Sequence, residues 1–225
     1  MNLELQATYE CNLQCEYCNR MCDTIYQPET HVDDRQMKRY VRQIERQKYS
    51  PIKRIKVAGG EPACNPWMVK ILDQLNSMES RKVISKYIVQ SNGTLPLPQN
   101  CKHLRIDRPK NKRHTDWRFS PYDLGFRIDF NHFRCSLVNV CGVSLDCYGW
   151  LPCSRAYAIS CYAGMPEVYK KNFPRFKIWC HEVLCANCIC SLPKEAQQDI
   201  LDQNTEPTEF YKRDPEPTMK KLERF

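Results

Sequence analysis

The sequence predicts an α/β fold on a parallel sheet, and three observations predict it. Apolar and polar residues alternate through Leu3-Glu-Leu-Gln-Ala-Thr-Tyr9, the period-two pattern of a strand. Two later segments carry apolar residues at intervals of three and four, the stripe of a helix lying on a sheet. These elements come in the order strand, helix, strand, helix, strand, which makes the strands parallel and gathers functional loops at their C-terminal ends.

Each element has its own justification. Asp33-Asp34 supplies a helix start, and Met37, Tyr40, Val41 and Ile44, extended by Lys48, fall on one face. Ile52-Lys-Arg-Ile-Lys-Val-Ala58 reads as the second strand. Pro66 opens a second helix with Val69, Ile71, Leu72, Leu75 and Met78 as its apolar positions, and a third strand covers about 83–90. Beyond Gly93 the pattern shortens. His103-Leu-Arg-Ile-Asp107 reads as a fourth strand and Leu124-Gly-Phe-Arg-Ile-Asp129 as a fifth, with connections too short for a full helix and its loops. Leu145 to Pro152 has the pattern of a small hairpin turning at Gly149. After Cys190 the chain turns polar and closes with a short helical segment, interrupted by Pro207, Pro215 and Pro217 and tacked down by Phe210, Tyr211, Leu222 and Phe225. Trp117, Trp150 and Trp179 read as core or hairpin anchors.

The chemistry begins at Cys11-Asn-Leu-Gln-Cys15-Glu-Tyr-Cys18. Three thiolates this close can hold three irons of a [4Fe-4S] cube and leave the fourth open to a ligand that is not protein. With Cys22 added, the same run also admits an all-cysteine cluster or a four-cysteine zinc knot.

Cys-x3-Cys-x2-Cys in the loop after a first strand, with Tyr17 before the third cysteine, resembles the radical S-adenosylmethionine superfamily. Gly59-Gly60-Glu61-Pro62 after the second strand resembles that family's contact to the methionine amino group, and Ser91-Asn92-Gly93-Thr94 after the third stands where the family contacts the cofactor. The resemblance implies a trimmed partial (β/α) barrel of about five to six parallel strands, a [4Fe-4S] cluster held by Cys11, Cys15 and Cys18, and S-adenosylmethionine bound at its open iron. Tyr17, Gly59, Gly60, Glu61, Pro62, Ser91 and Asn92 are the implied cofactor contacts. The cofactor then supplies the hard chemistry, a 5′-deoxyadenosyl radical, while the protein supplies position. Asp107 and Asp129, at strand ends facing the substrate, and Cys64, three residues beyond Glu61, are the candidate catalytic side chains.

Nine further cysteines lie between positions 135 and 190. Their placement around the hairpin resembles the auxiliary-cluster extensions called SPASM and, in the one-cluster form, twitch. The twitch pattern is best met by Cys135, Cys153, Cys185 and Cys188, with Cys141 a substitute for Cys135, so at least one auxiliary [4Fe-4S] cluster is expected. Cys147, Cys161, Cys180 and Cys190 would serve a second. The expected organisation is a core over residues 1–130, an auxiliary-cluster region over 131–192 and a polar tail over 193–225 that packs on the body.

Composition sets the bounds. The 225 residues, 42% of them hydrophobic, suffice for a core and a smaller appendage. Fifteen cysteines without an apolar signal-peptide core point to a reducing, cytoplasmic setting rather than a disulfide framework. No run reaches the roughly 18 apolar residues of a membrane span. The net charge of +8 is uneven: residues 194–225 carry −2, leaving +10 before them, much of it between Lys102 and Arg118. Such a patch suits an anionic substrate, an acidic peptide, the acidic surface of a flavodoxin- or ferredoxin-like electron donor, or nucleic acid, although no RNA-binding module accompanies it. The expected function is hydrogen abstraction in peptide or protein modification. The alternatives are a radical dehydrogenase or modifying enzyme for a small molecule or nucleotide, a glycyl-radical enzyme activase, and a non-enzymatic iron–sulfur electron-transfer protein.

Overall fold

A computed structural model describes residues 1–15, 18, 20, 22, 30–47, 51–108, 118–127, 135, 142–164, 182–203 and 206–212. Its strands are β1 (Asn2–Thr8), β2 (Arg54–Gly59), β3 (Lys86–Ser91), β4 (Leu104–Ile106), β5 (Val143–Leu145) and β6 (Trp150–Leu151). They form one sheet in the order β4-β3-β2-β1-β5-β6. The first five run parallel and β6 closes antiparallel on β5. This α/β sheet, flanked by helices, is the expected trimmed barrel core with an antiparallel edge.

Helices α1 (Asp34–Glu45) and α2 (Met68–Ser80) cover one face. Asp33 caps α1 with a reciprocal box: its carboxylate accepts from Gln36 N at 2.6 Å, and the Gln36 side chain accepts from Asp33 N at 3.0 Å. The expected stripe Met37, Tyr40, Val41 and Ile44 is buried, and it packs with Leu3, Leu5, Val57 and Val89 in the main core. Along α2 the buried face is Met68, Ile71, Leu72, Leu75 and Met78, while Val69 is 49% exposed. On β1 both faces are buried: Leu3, Leu5 and Ala7 meet the helices, and Glu4, Gln6 and Thr8 are equally inaccessible on the other side.

Two expectations change. The strand expected over 124–129 is absent from its described part, which is a turn through Pro121–Gly125 where Gly125 N donates to Tyr122 O; Gly125 has φ +85°, outside the range of a strand. The fifth parallel strand is Val143–Leu145, beside β1. The hairpin does turn at Gly149, and Trp150 anchors it with no exposure, its indole donating to Gln43 Oε1 at 2.6 Å. Among the described residues the tail holds two helices, α5 (Lys194–Gln203) and α6 (Glu209–Lys212), following α3 (Ala156–Ala163) and α4 (Glu182–Ala186). Phe210 and Tyr211 are buried against α3. Lys48, Trp117, Trp179, Leu222 and Phe225 lie outside the described residues.

Candidate functional site

The C-terminal ends of β1, β2 and β3 meet through their backbones and one carboxylate. Gly60 N donates to Thr8 O and Glu61 N to Glu10 O, both at 2.8 Å. A Cβ on Gly59, whose φ is +132°, would stand 2.1 Å from Thr8 O, and one on Gly60 would stand 2.0 Å from Glu10 O. The glycine pair therefore lets the β2 loop lie directly on the segment that leads into Cys11.

Glu61 is fully buried. Its Oε1 accepts from Ala63 N at 3.1 Å and Ser91 Oγ at 2.9 Å, and its Oε2 accepts from Asn92 N at 2.7 Å. The first of these caps the short 3-10 turn Pro62–Cys64. Asn92 continues the web, its amide donating to Asn12 Oδ1 at 3.1 Å and reaching Cys11 Sγ at 3.9 Å. Asn12 in turn donates to Thr94 Oγ1 at 2.7 Å. One hydrogen-bonded unit thus joins Cys11, Glu61, Ser91 and Asn92, with Gly59, Gly60 and Pro62 shaping it.

Cys64 belongs to the same unit, since Asn12 N donates to its sulfur; burial, with Glu10, Cys11 and Glu61 nearby, pushes its thiol up to about 11. Cys15 is buried, and Cys18 hydrogen-bonds Cys22. Burial, with Cys18, Glu61 and Cys15 around it, pushes the Cys11 thiol up. The donor set, thiols within electrostatic reach of one another, suits a thiophilic iron cluster. Among the described residues no three metal-ligating side chains already converge on one point. Asp107 lies just past β4; it is exposed and accepts from Gln90 Nε2 at 2.7 Å. Tyr17, Asp129 and Cys141 lie outside the described residues.

The second cysteine field gathers around a buried cation. Arg155 Nη1 donates to Cys190 Sγ at 3.1 Å, and Cys135 Sγ reaches Cys190 O at 3.6 Å. Cys188 hydrogen-bonds Cys190, with Cys153 and Cys135 in electrostatic reach. That hydrogen bond outweighs burial and lowers the Cys188 thiol, whereas burial pushes Cys153 up to about 11. Cys185 joins through its backbone, its carbonyl accepting from Cys188 N at 3.2 Å. Cys147 and Cys161 instead pack in the apolar interior.

Sequence reasoning missed several residues that hold this end of the sheet. Asn65, buried, donates to Ala7 O at 2.6 Å and Val32 O at 3.1 Å. Thr8 Oγ1 bonds His31 Nδ1 at 2.8 Å. Glu4, with no exposure, meets Arg20 at 2.5 Å and Lys56 at 3.1 Å and accepts from Gln6 Nε2 at 2.6 Å. Arg20 also donates to Ser154 O, tying the cysteine loop to the sheet and to the second field. Burial alone would raise the Glu4 carboxyl, but the two cations outweigh it and hold it below the ordinary range. The only signal in the sequence was a carboxylate within an otherwise strand-like run.

Residues 5–107 match the Radical SAM superfamily model, from β1 through the end of β4. This segment is a radical SAM domain. The cysteine triplet, the Glu61 web and Ser91-Asn92 all fall inside it. No curated protein matches the chain significantly. Among solved structures, SuiB of Streptococcus suis bound to S-adenosylmethionine aligns with 17% identity and a TM-score of 0.35, over 46% of this chain and 23% of that one. SuiB bound to its precursor peptide SuiA aligns with 19% identity and a TM-score of 0.33, over 46% and 22%. The chain spans under a quarter of either structure's length. No described helix is long and apolar enough to cross a membrane.

Proposed function

We propose that the radical SAM domain cleaves S-adenosylmethionine reductively and that the radical abstracts hydrogen from a peptide or protein, leading to a crosslink, an epimer or a dehydrogenated residue. The observation that carries the cofactor half is the buried Glu61 carboxylate joining the Cys11 loop to the ends of β2 and β3. A cluster on Cys11, Cys15 and Cys18 with one open iron would chelate the methionine end and supply the electron that breaks the carbon–sulfur bond. The chain's own residues do the positioning. Glu61 Oε2 takes one protein donor and keeps a lone pair for an ammonium group. Asn92 and Asn12 fix the mouth of the cysteine loop.

In this reading Cys64, at the end of the Pro62–Cys64 turn, would return a hydrogen atom to a substrate radical, and Asp107 and Asp129 would serve as acid or base at the substrate side. Tyr17 would cover the adenine or the cluster. Cys135, Cys153, Cys185 and Cys188 would hold one auxiliary [4Fe-4S] cluster, with Cys141 the substitute for Cys135 and Cys190 adjoining through Cys188 and Arg155. In this reading residues 1–130 form the core, 131–192 the auxiliary region and 193–225 the tail, and a flavodoxin- or ferredoxin-like protein of the cytoplasm delivers electrons. The peptide assignment rests on the resemblance of the cysteine field to SPASM and twitch extensions.

Electron paramagnetic resonance of the reconstituted, reduced chain tests the cofactor half. Adding S-adenosylmethionine should change the signal of the N-terminal cluster, and Glu61→Gln should abolish that change. An unaltered wild-type signal at saturating S-adenosylmethionine overturns the proposal.

A further inference from the structure

Arg20 stands between Cys18 and Cys22, and from one atom its side chain meets two distant parts of the chain. Nη1 meets Glu4 Oε1 at 2.5 Å and donates to Ser154 O at 3.3 Å. A guanidinium Nη1 carries two hydrogens, so it serves both acceptors at once. Glu4 belongs to β1 and has no exposure, while Ser154 is buried and directly follows Cys153. One side chain therefore bridges the segment of the N-terminal triplet, the sheet and the segment of the second cysteine field.

The Glu4 end of the bridge is the fixed one. Gln6 Nε2 donates to the same Oε1 at 2.6 Å, and Lys56 meets Oε2 at 3.1 Å. The Arg20 side chain is 14% exposed against 29% for Lys56, so its charge is the less screened of the two. A carboxylate this deep is costly to leave short of a charged partner, which holds Arg20 in place. The Ser154 end is a single, longer hydrogen bond to a backbone carbonyl next to a proposed auxiliary ligand. Tyr9 makes a separate connection, donating to Asp146 Oδ2 at 2.7 Å and stacking on Tyr157 at 4.1 Å, but it does so from the end of β1. Arg20 acts from within the cysteine segment itself.

We infer that Arg20 is a positioning residue that couples the two cysteine fields: order imposed at Cys153 passes through Ser154 O and Arg20 to Cys18, two residues away, and steadies the N-terminal triplet. The physical basis is entropic. A segment already ordered through a shared contact has less freedom left to lose when its own ligand binds. The inference deepens the proposed function and rests on it for the two clusters, whereas the bridge stands on the contacts of the Arg20 side chain.

A double-mutant cycle on cluster retention tests it in the anaerobically reconstituted full chain. Loss of the N-terminal cluster to a chelator is followed through the reduced electron paramagnetic resonance signal that S-adenosylmethionine alters. Cys153→Ser should speed that loss about fivefold, the scale of one hydrogen bond. In Arg20→Gln the loss should already be faster, and adding Cys153→Ser should speed it no further. A merely structural Arg20 would leave the Cys153→Ser acceleration at full size in the Arg20→Gln background; that result, or no acceleration in the wild-type background, overturns the inference. Arg20→Lys keeps a charge beside Glu4 without the planar fork, and it takes the place of Arg20→Gln in the cycle, with the same outcomes, if the glutamine variant does not fold. A signal that S-adenosylmethionine leaves unaltered, or iron content equal in wild type and Cys153→Ser, would instead overturn the proposed function. Hydrogen exchange of the metal-free chain then decides the bridge: Arg20→Gln should hasten exchange in α3, and unchanged exchange there overturns it.

Discussion

Replacing Glu61 by glutamine changes one atom in the middle of the candidate site, and the structure sets the size of the effect. The carboxylate accepts three protein hydrogen bonds, two at Oε1 and one at Oε2. Glutamine can keep the pair at its carbonyl oxygen, but its amide nitrogen then faces the Asn92 N–H, donor against donor. A lost hydrogen bond to a charged acceptor is worth about 1.5–3 kcal/mol, and a buried donor left unpaired costs about 1–3 kcal/mol. These overlap, so a loss of about 2–4 kcal/mol is expected. With an m-value of about 2–3 kcal/mol/M, the urea midpoint should fall by about 1 M. Ser91→Ala removes only one of the two donors at Oε1 and should cost about half as much. Anaerobic urea titration followed by circular dichroism measures both. A Glu61→Gln midpoint equal to that of the wild type would refute the claim that this carboxylate holds the strand ends together.

Three other outcomes follow from the geometry. Glu4→Gln should cost about 3–5 kcal/mol at pH 7, since it strips a buried partner from Arg20 and Lys56. The folded-state pKa of Glu4 is lowered, so its contribution is complete above the ordinary glutamate value of about 4.3 and fades as pH falls through the lower folded value; urea midpoints of the two proteins should converge in acid, and a constant gap would be evidence against the ion pair. Gly60→Ala should displace the Glu10 backbone, at about 1–3 kcal/mol, and lower the iron retained per chain; a variant with full iron and an unchanged thermal midpoint would contradict the 2.0 Å approach. Cys188→Ser should reduce iron and sulfide content more than Cys190→Ser, since Cys190 only adjoins the four proposed ligands through Cys188 and Arg155, and an equal loss in the two variants would contradict that ligand set.

What the sequence revealed and what it concealed divide along physical lines. The β1 alternation and the Met37–Ile44 stripe were legible because each repeats its period over several residues, and Asp33 marked the start of α1. The Gly59–Pro62 and Ser91–Asn92 segments were legible through family resemblance, but their mutual contact was not, since residues thirty apart meet only when β2 and β3 pair. Glu4 and Gln6 looked like the wet half of an alternating strand, yet the sheet buries both faces. The run at Leu124 offered a strand pattern that Pro121 and Gly125 override with a turn, while Val143–Leu145 is too short to show a period. The gathering of Cys188, Cys190 and Cys135 about Arg155 depends on tertiary packing of α3 and α4, which no spacing rule encodes.

The most direct measurement is the yield of 5′-deoxyadenosine when the reconstituted, dithionite-reduced chain is incubated with S-adenosylmethionine. Wild type should form it, Cys15→Ala should form none, and Cys153→Ser should still form it because Cys153 lies outside the radical SAM domain of residues 5–107. No product from a wild-type chain with a loaded, reducible N-terminal cluster, or product undiminished in Cys15→Ala, would contradict the account.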